Sequence, residues 1–126
     1  MARILNLTQH VATAEQISAG VVEPVDKARV QALLTFNSVQ DCTEMKSRAA
    51  ALTQICLDAG CTSAMIGGAP YFMGILEKQL SMAGIPPLYS FSVRESIDLP
   101  DGRKSSVFKH VDWIPGQAWW DVSNNE

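Results

Sequence analysis

Three short runs of this chain hold residue types able to bind or cut a phosphate: Thr8-Gln9-His10, Gly67-Gly68-Ala69-Pro70, and Ser92-Val93-Arg94-Glu95-Ser96. Thr8, Ser92 and Ser96 carry hydroxyls that donate to phosphate or ribose oxygens, and Gln9 adds an amide beside them. The imidazole of His10 can hold a phosphate or protonate a leaving oxygen. A guanidinium such as that of Arg94 grips two oxygens at once. Paired glycines let the backbone come close to a ligand, and the helix expected to start at Pro70 offers unpaired N–H groups that favour an anion. On this reading His10 and Arg94 are the catalytic candidates, and Thr8, Gln9, Gly67, Gly68, Ala69, Ser92 and Ser96 bind the ligand. Each member also has a plainer role. Gly67-Gly68 can be a tight turn and no more, His10 a surface histidine, Arg94 the partner of Glu95 or Asp98, and the serines a self-satisfied strand edge.

Other chemistries lack their signatures. The chain has no Walker lysine motif, no GxGxxG, no HExxH, no GxSxG and no acidic run suited to magnesium. Its two histidines, His10 and His110, exclude a histidine-rich metal centre. The expectation is therefore a site without metal or cofactor. Phosphodiester cleavage in it would use a positioned water, or a ribose 2′-hydroxyl attacking its own phosphate, aided by geometry and charge. A site that only binds would contain the same residues.

The elements that must position these runs are legible in the hydrophobic pattern. Residues 2–8 read as a first strand, and Thr13-Ala-Glu-Gln16 as a capping box opening a short helix that ends near Gly20. Glu23-Pro24 opens a second helical pattern to about Phe36, and Thr43 to Ala59 form a longer amphipathic helix closed by Gly60. Cys61 to Ile66 read as a buried strand ending at Gly67-Gly68, followed by a helix from Pro70 to Ala83 with Gly84 at its end. Leu88 to Val93 alternate, with Leu88, Ser90 and Ser92 on one side and Tyr89, Phe91 and Val93 on the other. Asp101-Gly102 makes a turn, and Ser105 to Trp113 return antiparallel. The order specifies an α/β chain: a small Rossmann-like three-layer fold with a mainly parallel sheet and a C-terminal antiparallel hairpin. Residues 1–114 form its single domain and 115–126 a tail, whose Trp119-Trp120 pair should dock on the body or on another subunit. In such a sheet the ligand crevice lies beyond the carboxyl ends of the strands, where the three runs are expected to meet.

Composition bounds the rest. With 126 residues, 47% hydrophobic and 18% charged, the chain suits one globular domain. No apolar run approaches the roughly 20 residues of a membrane span, and the start lacks a signal-peptide pattern, so the cytoplasm is expected. Cys42, Cys56 and Cys61 show neither a disulfide framework nor zinc spacing, and Cys56 and Cys61 read as small core residues. The net charge of −3 argues against bulk DNA binding.

Asn6-Leu-Thr-Gln-His10 followed by Thr13-Ala-Glu-Gln16 resembles the opening of small CRISPR-associated Rossmann-like proteins, in which a first strand ends in a hydroxyl and a histidine before a helix. That resemblance implies a homodimer that binds cyclic oligoadenylate at the carboxyl ends of its strands, and a ring nuclease that cleaves it. It also implies that Thr8 and His10 touch the ligand and that the Gly67-Gly68 turn cradles a phosphate. Arg94 has no aligned counterpart, and the segment from Pro24 to Phe36 departs from the pattern. The block from Ile66 to Met73, with Ala83 to Ser96, Pro100 to Gly102 and Val107 to His110, is similar to short bacterial proteins of mobile elements. This second resemblance brings no established activity. The alternative function is a non-catalytic interaction module, for example a mobile-element inhibitor of a host defence protein, with Trp113, Trp119 and Trp120 as aromatic anchors.

Overall fold

An apolar four-residue strand has little choice but the middle of a sheet, where both edges are paired and both faces covered. The computed structural model describes residues 3–123, and in it β1 (Ile4–Leu7) is buried at every position. It pairs in parallel with β2 (Val21–Val22) on one side and β3 (Ser63–Ile66) on the other. β4 (Pro87–Asp98) is parallel to β3, and β5 (Lys104–Pro115) is antiparallel to β4, giving a five-stranded sheet in the order β2-β1-β3-β4-β5. The Rossmann-like arrangement expected from the sequence is the one observed. β2 was not anticipated, because a Val-Val pair is too short to show a period.

Local sequence sets the helices. Thr13 and Gln16 close the capping box that starts α1 (Ala14–Ser18). Asp41 caps α3 (Cys42–Asp58), and Pro70 opens α4 (Pro70–Met82), after which Gly84 takes φ 78°. α2 (Lys27–Leu33) starts later than the Glu23-Pro24 signal suggested, because Asp26 is its cap and the Glu23 side chain is drawn to the end of β1.

The strands alternate between two unequal faces. Leu5, Leu7, Ala64 and Ile66 pack with Val30, Leu52, Phe72, Leu76 and Leu80 of α2, α3 and α4 in the main core. Ile4 and Met65 turn to the other face and join Ala12 and Val21, with Leu88 and Trp113 packed against them. Among the described residues α1 is the one helix on that side, and it buries none of its residues. The third layer is therefore thin.

β4 has 12 residues, yet only Pro87 and Leu88 pair with β3. The remainder pairs with β5 alone, as a two-stranded ribbon that runs past the sheet. Register slips between Phe91 and Ser92, so that Phe91 pairs with Asp112 and Ser92 with His110. Beyond the ribbon, α5 (Gln117–Ser123) lies along α4. The Glu77 carboxylate accepts from the Tyr89 hydroxyl at 2.5 Å and from the Ala118 amide at 3.1 Å. A Cβ on Gly116 would meet Glu77 Cδ at 2.5 Å, so a larger residue there would displace the Glu77 carboxylate from Tyr89 and Ala118. The segment expected as a tail is thus a docked helix through Ser123, with Trp119 half-buried and Trp120 exposed, while residues 124–126 lie outside the described part.

Cys56 and Cys61 are buried and Cys42 is exposed. Burial pushes the Cys56 thiol up to about 12, with the neighbouring Cys61 adding to the rise. Iodoacetamide at pH 8 should therefore alkylate Cys42 alone in the folded protein and all three cysteines in denaturant, as read by mass spectrometry. Modification of Cys56 without unfolding would contradict this burial.

Candidate functional site

The connection β1–α1–β2 leads to one side of the β1/β3 pair, and β3–α4–β4 leads to the other. Loops leaving adjacent strand ends in opposite directions open a crevice between them. Here it measures about 390 Å³ and is walled by Thr8, Gln9 and His10 after β1, Gly67 and Gly68 after β3, Gln16 of α1, and Tyr89 and Ser90 of β4.

The first wall hangs on Asn6, which is fully buried. Its Nδ2 donates to the His10 carbonyl at 2.8 Å and to both Glu23 carboxylate oxygens at 3.1 Å, and its Oδ1 accepts from the Thr8 amide at 3.0 Å and the Thr8 hydroxyl at 2.7 Å. Glu23 also accepts from the Ala12 amide at 2.7 Å and pairs with Lys27 at 3.2 Å. Lys27 in turn donates to the Thr8 and His10 carbonyls at 2.8 and 2.9 Å. Burial alone would raise the Glu23 carboxyl, but the Ala12 amide, the Asn6 carboxamide and the Lys27 ammonium outweigh it and hold the group below its ordinary value.

This latch revises two of the expected ligand contacts. Thr8 has one hydroxyl proton and directs it to Asn6 or, at 3.2 Å, to the His10 carbonyl, so Thr8 shapes the loop rather than donating to a ligand. Gln9 lines the crevice but commits one Nε2 hydrogen to the Thr35 hydroxyl at 2.8 Å, leaving its second N–H and Oε1. His10 is positioned as expected: its backbone is pinned, while its exposed ring lines the crevice with no hydrogen-bond partner among the described residues.

On the second wall the two glycines differ. A Cβ at Gly67 would meet Thr8 Cγ2 at 3.6 Å, an ordinary contact, whereas Gly68 holds φ +153°, which L side chains rarely adopt. Ala69 does not line the crevice as expected; it packs against the main core. Neither it nor Pro70 supplies a capping side chain to α4.

The third wall contains what the sequence reading missed. Ser90 Oγ lies 2.5 Å from His110 Nδ1 and 3.2 Å from Ser92 Oγ, and it accepts from Gln16 Nε2 at 3.2 Å. His110 is only 8% exposed, its ring centroid 4.3 Å from that of Trp113. In the sequence the cap pattern explains Gln16 and the strand pattern His110, and the one signal that points to their meeting is the alternation placing Ser90 and Ser92 on one side. Ser92 therefore sits behind Ser90 rather than in the crevice. Arg94 and Ser96 are exposed on the ribbon, and the Arg94 guanidinium lies 5.3 Å from the Phe108 ring centroid, in neither the crevice nor an ion pair with Glu95 or Asp98. The reason is topological: β4 leaves β3 after Leu88, so its later residues run past the strand ends. No lysine or arginine lines the crevice, and among the described residues no group of three His, Cys, Asp or Glu side chains could hold a metal ion.

Strand order and crevice together define a small doubly wound α/β protein with a crevice at the β1/β3 switch point. Residues 2–114 match the family described as uncharacterized protein MJ1673, and the chain belongs to that family. No curated protein and no solved structure matches it.

The Glu23 carboxyl titrates below its unfolded value, so the stability it contributes is complete above the ordinary carboxylate range and is lost as pH falls through the lowered value. Solvent reaches 36% of the Glu23 side chain, which reduces the effect well below that of a fully buried pair. Glu23→Gln should cost about 1 kcal/mol at pH 7 in urea unfolding, and the gap from wild type should close as the pH drops below about 4.

Proposed function

We propose that the protein binds a nucleotide in the β1/β3 crevice. Cyclic oligoadenylate is the ligand that the sequence resemblance implies, and cytoplasmic action as a homodimer goes with it. The observation that supports this reading most directly is that His10, the Gly67-Gly68 turn and Ser90 line one crevice at the switch point. Its volume of about 390 Å³ falls in the range of small-molecule sites. With no lysine or arginine on its walls, it suits one phosphate held by backbone amides of the Gly67-Gly68 turn. The amide and hydroxyl groups of Gln9, Gln16 and Ser90 suit the edge of a neutral sugar or base, and Val11 and Met65 supply apolar contact. Any further phosphates of a larger ligand would remain toward solvent. Metal-independent cleavage of the bound phosphodiester would follow from such a site as a slow second step, with His10 the exposed imidazole beside the ligand.

The alternative of an interaction module draws on a different surface. Phe91, Val93, Ile97, Val107 and Phe108 are exposed on the ribbon, as is Trp120 on α5, whereas Trp113 and Trp119 are half-buried and less suited as anchors.

Thermal unfolding with cyclic tetra-adenylate, AMP and adenosine separates the two. A ligand present about 100-fold above its Kd should raise Tm by about 10 °C. Gly68→Ala should abolish that rise, while Gly67→Ala and Arg94→Ala should retain it. Absence of stabilisation by all three compounds would overturn the nucleotide reading; a protein partner lost specifically in Phe108→Glu would then favour the ribbon.

A further inference from the structure

We propose that Ser90, backed by His110, is the proton-donating hydroxyl of the crevice, acting on the leaving oxygen of a ribonucleotide phosphodiester. The inference rests on the nucleotide reading above and assigns the acid role to residues that neither the sequence motifs nor the family match single out.

The hydrogen-bond inventory carries it. Ser90 has one proton and two lone pairs. The Gln16 amide cannot take that proton: its Oε1 accepts from the Thr13 amide at 3.0 Å, which fixes the amide orientation and leaves Nε2 as a donor to Ser90 at 3.2 Å. Only His110 Nδ1, at 2.5 Å, and Ser92 Oγ, at 3.2 Å, remain as protein partners. When Nδ1 is unprotonated, Ser90 donates to it and offers the crevice an acceptor. When Nδ1 carries a proton, the imidazole donates to Ser90 Oγ and releases the serine proton toward the crevice. Whether Nδ1 of the buried ring carries a proton thereby sets the polarity of a hydroxyl that faces the crevice.

In the transfer step, the 2′-hydroxyl of the bound nucleotide forms a bond to phosphorus and gives its proton to His10. The bond from phosphorus to the 5′-oxygen breaks with its electron pair on that oxygen, which takes the Ser90 proton as Nδ1–H of His110 passes to Ser90 Oγ. The products are a 2′,3′-cyclic phosphate and a 5′-hydroxyl; one proton has moved onto His10 and one has left His110, and exchange with water restores both. Ser90 is the catalytic residue, and His110 a positioning residue acting through it.

The groups around His110 leave this exchange to Ser90. Arg94 shares its face of the ribbon but is paired with Phe108 and stacked over that ring; Glu15 is the charged residue of α1; Lys109 and Asp112 flank it on β5. Among the described residues none forms an ion pair with His110.

The test uses full-length protein and cyclic tetra-adenylate as probe. Nitrogen NMR of labelled histidine should show the His110 Nδ1 resonance moving in Ser90→Ala but not in Arg94→Ala, a readout needing no ligand. Read as a single-turnover rate at saturating cyclic tetra-adenylate, cleavage should fall about 10²- to 10⁴-fold in Ser90→Ala, recover to within about tenfold in Ser90→Thr, and lose one limb of its pH profile in His110→Gln. An unmoved Nδ1 resonance, or a wild-type rate and pH profile in Ser90→Ala, would overturn the Ser90 assignment while binding persists. Loss of binding in the wild type would instead overturn the nucleotide reading itself.

Discussion

A single buried carboxamide governs the shape of the candidate site. Asn6 lies in a central strand paired on both edges, where its side chain has no access to water, and a buried amide left unpaired costs about 1–3 kcal/mol. It is satisfied by bending the following loop back so that Thr8 and the His10 carbonyl reach it, and by drawing Glu23 in from the far side of β2. Glu23 then needs Lys27, and Lys27 finishes the job by taking the same loop's carbonyls. Strand, loop and the first turn of α2 are thus one hydrogen-bonded unit. The same unit sets the position of His10 without touching its ring.

Sheet topology decides which polar groups reach that ring. The strand order puts the reversal of winding between β1 and β3, so a crevice opens there whatever the loops contain. The loops then make it nearly neutral. The nearby Lys27 is turned away to Glu23 and two loop carbonyls, and the β3 end offers backbone rather than side chain. Opposite them, α1 and the β4–β5 ribbon deliver Gln16, Ser90 and His110 from three elements far apart in sequence. A thin third layer is what leaves this polar network close to the opening, since a longer helix over Ile4 and Met65 would bury apolar side chains in its place.

Much of the architecture was legible. The capping box at Thr13 and Gln16, Pro70 at the start of α4, Gly84 at its end and the turn at Asp101-Gly102 are local signals whose meaning depends on a few neighbouring residues. Where local signals misled, a distant group had intervened. Glu23-Pro24 looked like a helix start until Asn6 claimed Glu23, and residues 115–123 looked like a tail until Glu77 and Tyr89 gave the Ala118 amide and Gly116 a place to sit.

By itself the sequence determined the class of fold, the switch-point crevice, and the presence there of His10 and a glycine turn, because periodicity and caps act over one or two helical turns and parallel connections permit few topologies. Only the tertiary structure decided who shares that crevice. Thr8 spends its proton on Asn6, Arg94 is carried away on a strand that parts from its neighbour after Leu88, and His110 arrives from the returning strand to hold Ser90. Strand length relative to its partner, and the use of a hydroxyl's one proton, are settled by contacts between residues tens of positions apart, and no local pattern encodes them.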